Sequence, residues 1–339
     1  MLIHTVAAPW EVSLTSAEYM LIYYFLVVAG LGFIAGLLRT WVTRGEVGPR
    51  YRTAVVARLG VMSIALASYI FIVVQFTLGY DYGNGMWVPN STAIFALSSR
   101  YMEWTVSVPL LVVELLAVCA LTGRTARRTR AYAVAGAFLM IFTGFLGSVI
   151  IDNGESMSAQ IFWGAISSVF WIATTVILLR AVRRSIPSLT GECGVLLKGA
   201  ANFLLAGWVL YPLVYILQLF LVGGQWTVLQ QISYTLADLI VKVGFAGMIH
   251  RVAKLRTAED VRAGVDVHPE AIWISSIKQS DAGLPVIVYL APGASIHEGR
   301  PKPAGDRAIA VEEEPRQPSG DQDTHPSQYT TEDDPDYDR

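Results

Sequence analysis

Seven stretches of this chain are long and apolar enough to cross a lipid bilayer, and no other feature limits the fold as tightly. A spanning helix needs about 20 mostly apolar residues. Runs of that kind lie at 17–42, 53–78, 93–121, 129–151, 159–181, 197–222 and 229–251. Backbone polar groups in hydrocarbon must find their partners within the protein, so runs of this length read as helices. Across the 339 residues, 53% are hydrophobic and only 15% are charged, which leaves little polar surface for a water-soluble body. The expected fold is an all-α membrane protein, a seven-transmembrane-helix bundle.

The charges between the runs orient them. Arg39, Arg44, Arg50 and Arg52 lie between the first two runs, and Arg124, Arg127, Arg128 and Arg130 between the third and fourth. Arg180, Arg183 and Arg184 lie between the fifth and sixth, and Arg251, Lys254 and Arg256 follow the seventh. The alternate loops, such as GYDYGNGMWVPN and IDNGESMSAQ, carry acids and neither Lys nor Arg. Basic loops stay in the cytoplasm. The N-terminus is therefore expected outside and the C-terminal tail inside, in a multi-pass protein of the plasma membrane. The net charge of −2 averages a basic membrane face against an acidic tail and carries no further information.

Four segments follow from composition. Residues 1–16 form an extracellular N-terminus with no basic stretch and apolar core of the signal-peptide kind. Residues 17–257 hold the seven helices. In the cytoplasmic segment 258–292, AIWISSIKQSDAGLPVIVYLAP (271–292) reads as two short apolar runs around a turn, a small hairpin. Residues 293–339, rich in Pro, Gly, Asp and Glu, read as a disordered acidic tail. Cys119 and Cys193 both fall near the cytoplasmic side, where a structural disulfide is not expected. The histidines form no metal-ligand set, no CxxC, HExxH or phosphate-binding glycine loop is present, and nothing points to an enzyme or to nucleic acid.

Ionisable residues inside membrane helices are costly and mark function. The run ADLIVKVGF (237–245) places Lys242 near the middle of the seventh helix, with Asp238 one turn earlier on the same face. On the third helix Arg100, Glu103 and Ser107 share a face, and Glu114 returns to it three turns beyond Glu103, about 16 Å along the axis. The lysine is thus bracketed by an outer and an inner carboxylate. Structural ion pairs are the plain alternative, but membrane helices pack mainly through small and weakly polar side chains. A lysine amine in a dry pocket can condense with an aldehyde. Glu103 and Asp238 would balance the resulting charge, and Trp104, Trp171, Trp208, Tyr211 and Tyr215 favour a long apolar partner.

On these residues the chain resembles the microbial rhodopsins, seven-helix proteins that carry retinal on a lysine. RYMEWTVSVPLL (100–111) is similar to their third helix, WVLYPLVY (208–215) to their sixth and DLIVKVGF (238–245) to their seventh. GAFLMIFTGFLG (136–147) and WGAISSVFW (163–171) resemble the fourth and fifth. The resemblance implies that Lys242 forms a covalent Schiff base with all-trans retinal, which light isomerises to 13-cis. Glu103 would be counterion and proton acceptor, Asp238 the second counterion, with Arg100 below them. Tyr69 and Tyr211 would hydrogen-bond Asp238. Trp104, Val108, Leu111, Met140 and Gly144 would line one part of the polyene, and Ser168, Trp171, Trp208, Pro212 and Tyr215 the rest. Membrane lipid, a trimeric or pentameric homo-oligomer and a cytoplasmic or membrane transducer are the partners it implies. Resemblance to xanthorhodopsin adds a carotenoid antenna at Gly164, against the plain reading of a small residue for close packing.

Pump and sensor remain to be separated. The familiar outward proton pumps usually carry Asp and Thr where this chain has Glu103 and Ser107, while Glu114 matches the cytoplasmic proton donor of many bacterial pumps. Arg58 points the other way. It lies about 10 Å inside the cytoplasmic face, the same depth as Glu114 on the adjacent helix. Either Arg58 pairs with Glu114 or it snorkels to the surface; depth favours the pair. A guanidinium neighbour favours the ionised carboxylate, and an ionised Glu114 cannot hand over a proton. The segment QWTVLQQIS before the seventh helix offers glutamines and no carboxylate for proton release. The expected function is a slow-photocycle photosensory rhodopsin, with a light-driven outward proton pump as the alternative. A buried arginine near the cytoplasmic face also gives a narrower resemblance to the cryorhodopsins.

Overall fold

The computed structural model describes residues 8–217, 219–221 and 223–265. Among them, seven long helices follow one another. They are α1 (Ser16–Val42), α2 (Arg52–Leu78), α3 (Ala93–Ala117), α4 (Gly123–Phe145), α5 (Met157–Ser185), α6 (Gly191–Leu217) and α7 (Gly224–Arg262). Each packs on the next, and α7 closes back on α1 to complete the ring. All but α3 are long and apolar enough on their own to cross a membrane. The 25 residues of α3 span about 37 Å, and its inner face carries the buried Arg100, Glu103 and Glu114, which dilute its apolar character.

The helices are apolar nearly all round, the pattern of a membrane span. On α1, Tyr19, Ile22, Leu26, Ala29, Phe33 and Gly36 recur every three or four residues and are buried. Met20, Tyr24, Leu31 and Leu38 on its other faces are exposed, as lipid-facing residues are. A Cβ on Gly36 would touch Met62 and Val243, and one on Gly244 would lie 2.9 Å from the Phe203 ring, so small residues set the approach of α1, α2, α6 and α7. Pro109 and Pro212 sit inside α3 and α6.

The helix ends differ from the hydropathy reading. The seventh run was expected over 229–251, yet α7 runs from Gly224 to Arg262, past the bundle boundary expected at 257. Hydropathy marks only the length immersed in lipid. Beyond it, polar contacts carry the helix into water. Asp260 accepts from Tyr51 Oη at 2.7 Å and pairs with Arg50 at 3.2 Å, and Thr190 donates to Glu259. The third helix, expected to 121, stops at Ala117, and the fourth, expected from 129, begins at Gly123. GYDYGNGMWVPN, read as a plain loop, folds into a hairpin of β1 (Tyr80–Gly83) and β2 (Met86–Pro89). Asn84 and Gly85 take φ of 53° and 82°, the two positive values that a tight Asn-Gly hairpin turn requires. Leu14 bridges to Trp87, whose ring stacks on Tyr19 at 4.0 Å, covering this end of the bundle. The segment expected as a hairpin at 271–292 and the tail 293–339 lie outside the described residues. Cys119 and Cys193 are buried free thiols.

Candidate functional site

The site is built where α3 and α7 face each other. Around Lys242 the helix widens into a π turn, Ile240–Gly244. Such turns insert one extra residue and re-aim side chains, and they recur at functional sites. Lys242 is 1% exposed. Its Nζ donates to Glu103 Oε2 at 2.6 Å and lies 3.0 Å from Asp238 Oδ1.

The two carboxylates are held differently. Asp238 Oδ1 accepts from Trp104 Nε1 at 2.9 Å and from Tyr211 Oη at 2.8 Å. Its Oδ2 accepts from Tyr69 Oη at 3.0 Å and lies 3.5 Å from Arg100 Nη1. Glu103 has only the lysine on Oε2; its Oε1 makes no hydrogen bond, and Ser107 is the nearby polar side chain. Asp238 is thus fixed in place by donors on both of its oxygens. Glu103 keeps one oxygen without a hydrogen-bond partner.

Arg100 is anchored by three neutral partners. It donates to Gln231 Oε1 at 3.2 Å, Tyr69 Oη at 2.9 Å and Thr235 Oγ1 at 2.7 Å. Gln231, Thr235, Asp238 and Lys242 repeat at helical spacing along one face of α7. That spacing was the available signal for Gln231 and Thr235, which the sequence reading passed over. It also treated Trp104 only as a wall, whereas the indole is a hydrogen-bond donor to Asp238.

From Lys242 a cavity of about 310 Å³ runs between α3, α4, α5 and α6. Its walls include Trp104, Val108 and Leu111 from α3, Met140 and Gly144 from α4, and Ser168 and Trp171 from α5. Trp208, Tyr211, Pro212 and Tyr215 from α6 complete it, together with Tyr101, Gln160 and Tyr234, which sequence reasoning missed. Tyr69 lies outside these walls and serves Asp238 and Arg100 instead. The slot is lined mainly by apolar and aromatic side chains and carries one amine, Lys242, which fits a long hydrophobic aldehyde such as retinal.

Gly164 faces this cavity. A Cβ there would lie 2.9 Å from the Tyr215 ring, whose hydroxyl is tied to the Gln160 carbonyl at 2.7 Å. The ring cannot swing away without losing that bond. Gly164→Ala is therefore expected to destabilise the protein by about 1–3 kcal/mol through overpacking, measured as a lower thermal midpoint.

Toward the basic end, Arg58 Nε donates to Glu114 Oε1 at 3.1 Å, with side chains 3% and 0% exposed. Arg58 thus points inward to the carboxylate and not out to the surface.

The fold and the site together define a membrane protein whose seven helices enclose an aromatic slot ending on a lysine paired with two carboxylates. The profile of the bacteriorhodopsin-like protein family matches residues 20–255. A bacteriorhodopsin-II-like protein from Haloquadratum walsbyi is 25% identical over 230 residues, covering 66% of this chain and 87% of the relative. A green-light absorbing proteorhodopsin from a gamma-proteobacterium is 24% identical over 248 residues, covering 71% and 88%. Among solved structures, xanthorhodopsin, described as a light-driven ion pump with dual chromophore, superposes with a TM-score of 0.67 at 28% identity. That match covers 73% of this chain and 98% of xanthorhodopsin. A thermophilic rhodopsin matches with a TM-score of 0.66, also at 28% identity, over the same shares.

The chain belongs to the bacteriorhodopsin-like family, the microbial rhodopsins. These are retinal-binding, photoactive proteins of the plasma membrane that act as ion pumps or sensors and not as classical enzymes.

Proposed function

We propose that this protein is a slow-cycling photosensory rhodopsin carrying all-trans retinal on Lys242. Bound there, retinal supplies light absorption and the all-trans to 13-cis isomerisation that changes the proton affinity of the lysine nitrogen. The protein's residues do the rest. Trp104 and Trp208 confine the slot. Asp238, tied by Tyr69, Tyr211 and Trp104, holds the nitrogen in place. Glu103, with its free oxygen, accepts the proton that leaves the nitrogen.

The observation that carries the sensory reading is the buried Arg58–Glu114 pair. In a fast pump the carboxyl on the cytoplasmic side must be protonated so that it can refill the nitrogen. A carboxyl held by a buried guanidinium must part from it before it can serve the nitrogen, which makes it a slow donor. The blue-shifted photostate should then persist, which suits a lasting signal. The same arginine carries the resemblance to the cryorhodopsins.

A light-driven outward proton pump is the second reading. Glu114 lies where a donor is needed, and the chain is similar to xanthorhodopsin, a light-driven ion pump. Flash photolysis of the retinal-loaded protein, paired with pH recording of an illuminated cell suspension, separates the two. The sensor shows a blue-shifted state lasting seconds or more and little acidification; rapid recovery with robust acidification establishes the pump. Of the remaining expectations, a trimer or pentamer and a transducer are partners the sensory reading calls for. The carotenoid antenna at Gly164 has less support, since the Tyr215 ring already occupies the room the glycine leaves.

A further inference from the structure

One ionisable cluster takes no part in the site described above. Glu46, at the end of the turn after α1, shares a hydrogen bond of 3.0 Å between its Oε2 and His250 Nε2. The same oxygen lies 2.6 Å from Lys254 Nζ. Glu46 and Lys254 are 35% and 27% exposed, while His250 is 7% exposed, so the cluster steps from the basic surface into the bundle.

His250 lies two turns beyond Lys242 on α7, about 12 Å toward the basic end. Glu114 lies three turns beyond Glu103 on α3, about 16 Å in the same direction, and Glu103 touches Lys242. The histidine and the Arg58–Glu114 pair therefore sit at similar depth. α2 packs against this part of α7, and Arg58 is among the charges acting on His250. Three buried atoms from three helices have no hydrogen-bond partner here: His250 Nδ1, Arg58 Nη2 and Glu114 Oε2. Unpartnered buried polar atoms call for an explanation, and these three lie on helices that pack together at similar depth. A staple between α7 and the α1–α2 turn accounts for the Nε2 side of the ring and leaves Nδ1 unexplained.

We propose that His250 is a proton relay connecting Glu46 at the basic surface to the Arg58–Glu114 pair, and that it supplies the proton that resets the photocycle. The last step rests on the photoreceptor reading above. A hydronium ion at the basic surface protonates Glu46 and frees it from Lys254, and the carboxyl passes that proton to His250 Nε2. The ring releases its Nδ1 proton inward toward Glu114, so one proton enters the imidazole and one leaves. The ring then exchanges tautomers and is ready again. Imidazole suits this role because its two nitrogens face opposite ways, so one can accept a proton while the other gives one up.

Two arms test the relay in the full-length protein. The first needs no retinal and follows the ring resonances of His250 by nitrogen-15 NMR, assigned by their loss in His250→Gln. Glu46→Gln is expected to move the Nε2 resonance and Arg58→Ala the Nδ1 resonance. An Nδ1 resonance indifferent to both Arg58→Ala and Glu114→Gln overturns the inward connection. The second arm measures recovery of the blue-shifted state after a flash. His250→Gln keeps a hydrogen bond to Glu46 but cannot pass a proton through, so recovery should slow on the order of a hundredfold and return on adding imidazole. Recovery at the wild-type rate, or slowing that imidazole does not relieve, overturns the relay. If the wild type forms no blue-shifted state, it is the photoreceptor reading that fails, and the resonance shifts still decide whether His250 is coupled inward.

Discussion

Lys242→Ala is expected to abolish the visible absorption band that the wild-type protein acquires on incubation with all-trans retinal. Lys242 is the one lysine among the residues lining the cavity, so no other amine there can form the link. Lys254→Ala, outside the slot, should leave the band in place and serves as the control. The same change has a second consequence that needs no chromophore. Removing one partner of a buried ion pair costs about 3–5 kcal/mol, because the other charge is left uncompensated. Asp238 would keep Tyr69, Tyr211, Trp104 and Arg100, whereas Glu103 would lose the hydrogen bond that holds it. Glu103→Gln added to Lys242→Ala should therefore recover much of the lost stability of the retinal-free protein, read from thermal unfolding. A variant lacking this amine that still showed a red-shifted, retinal-dependent band would refute the assignment of Lys242.

Arg58→Ala is expected to shorten the blue-shifted photostate. Without the guanidinium, Glu114 becomes an isolated buried carboxyl, and such a group prefers to be neutral. It then carries a proton it can give. A cationic neighbour biases a carboxyl toward ionisation by a factor of about 10 to 1000, so recovery should accelerate by about that much if Glu114 is the donor. Adding Glu114→Gln to Arg58→Ala should remove the acceleration, because the donor itself is gone. An unchanged lifetime in Arg58→Ala would mean that the pair is structural and that the sensory reading has lost its support. Acidification by Arg58→Ala cells where the wild type gives none would show that this arginine separates a sensor from a pump.

Much of this architecture can be read from residue types alone, because lipid imposes strict rules. Helix number follows from apolar runs, the expected orientation from arginines, and the buried lysine from the cost of placing it in hydrocarbon. The hairpin escaped because a short turn signal, Asn84-Gly85, lies in a segment without an apolar run. The full length of α7 escaped because hydropathy cannot see helix that lies in water and is held by Thr190, Tyr51 and Arg50. Arg58 and Glu114 were matched by depth, but depth does not give direction. The inward hydrogen bond at 3.1 Å comes from how α2 and α3 are rotated about their axes.

The sequence by itself determined the class of fold, the family, the lysine and the set of charges near it, since burying a charge in a membrane is costly enough to be informative without coordinates. Only the tertiary structure decided how those charges are shared: Asp238 surrounded by donors, Glu103 left with a free oxygen, and His250 reaching from Glu46 toward the interior. Each of these depends on contacts between helices far apart in the chain, and a hydrogen bond's range is far shorter than the uncertainty in helix rotation that residue spacing leaves.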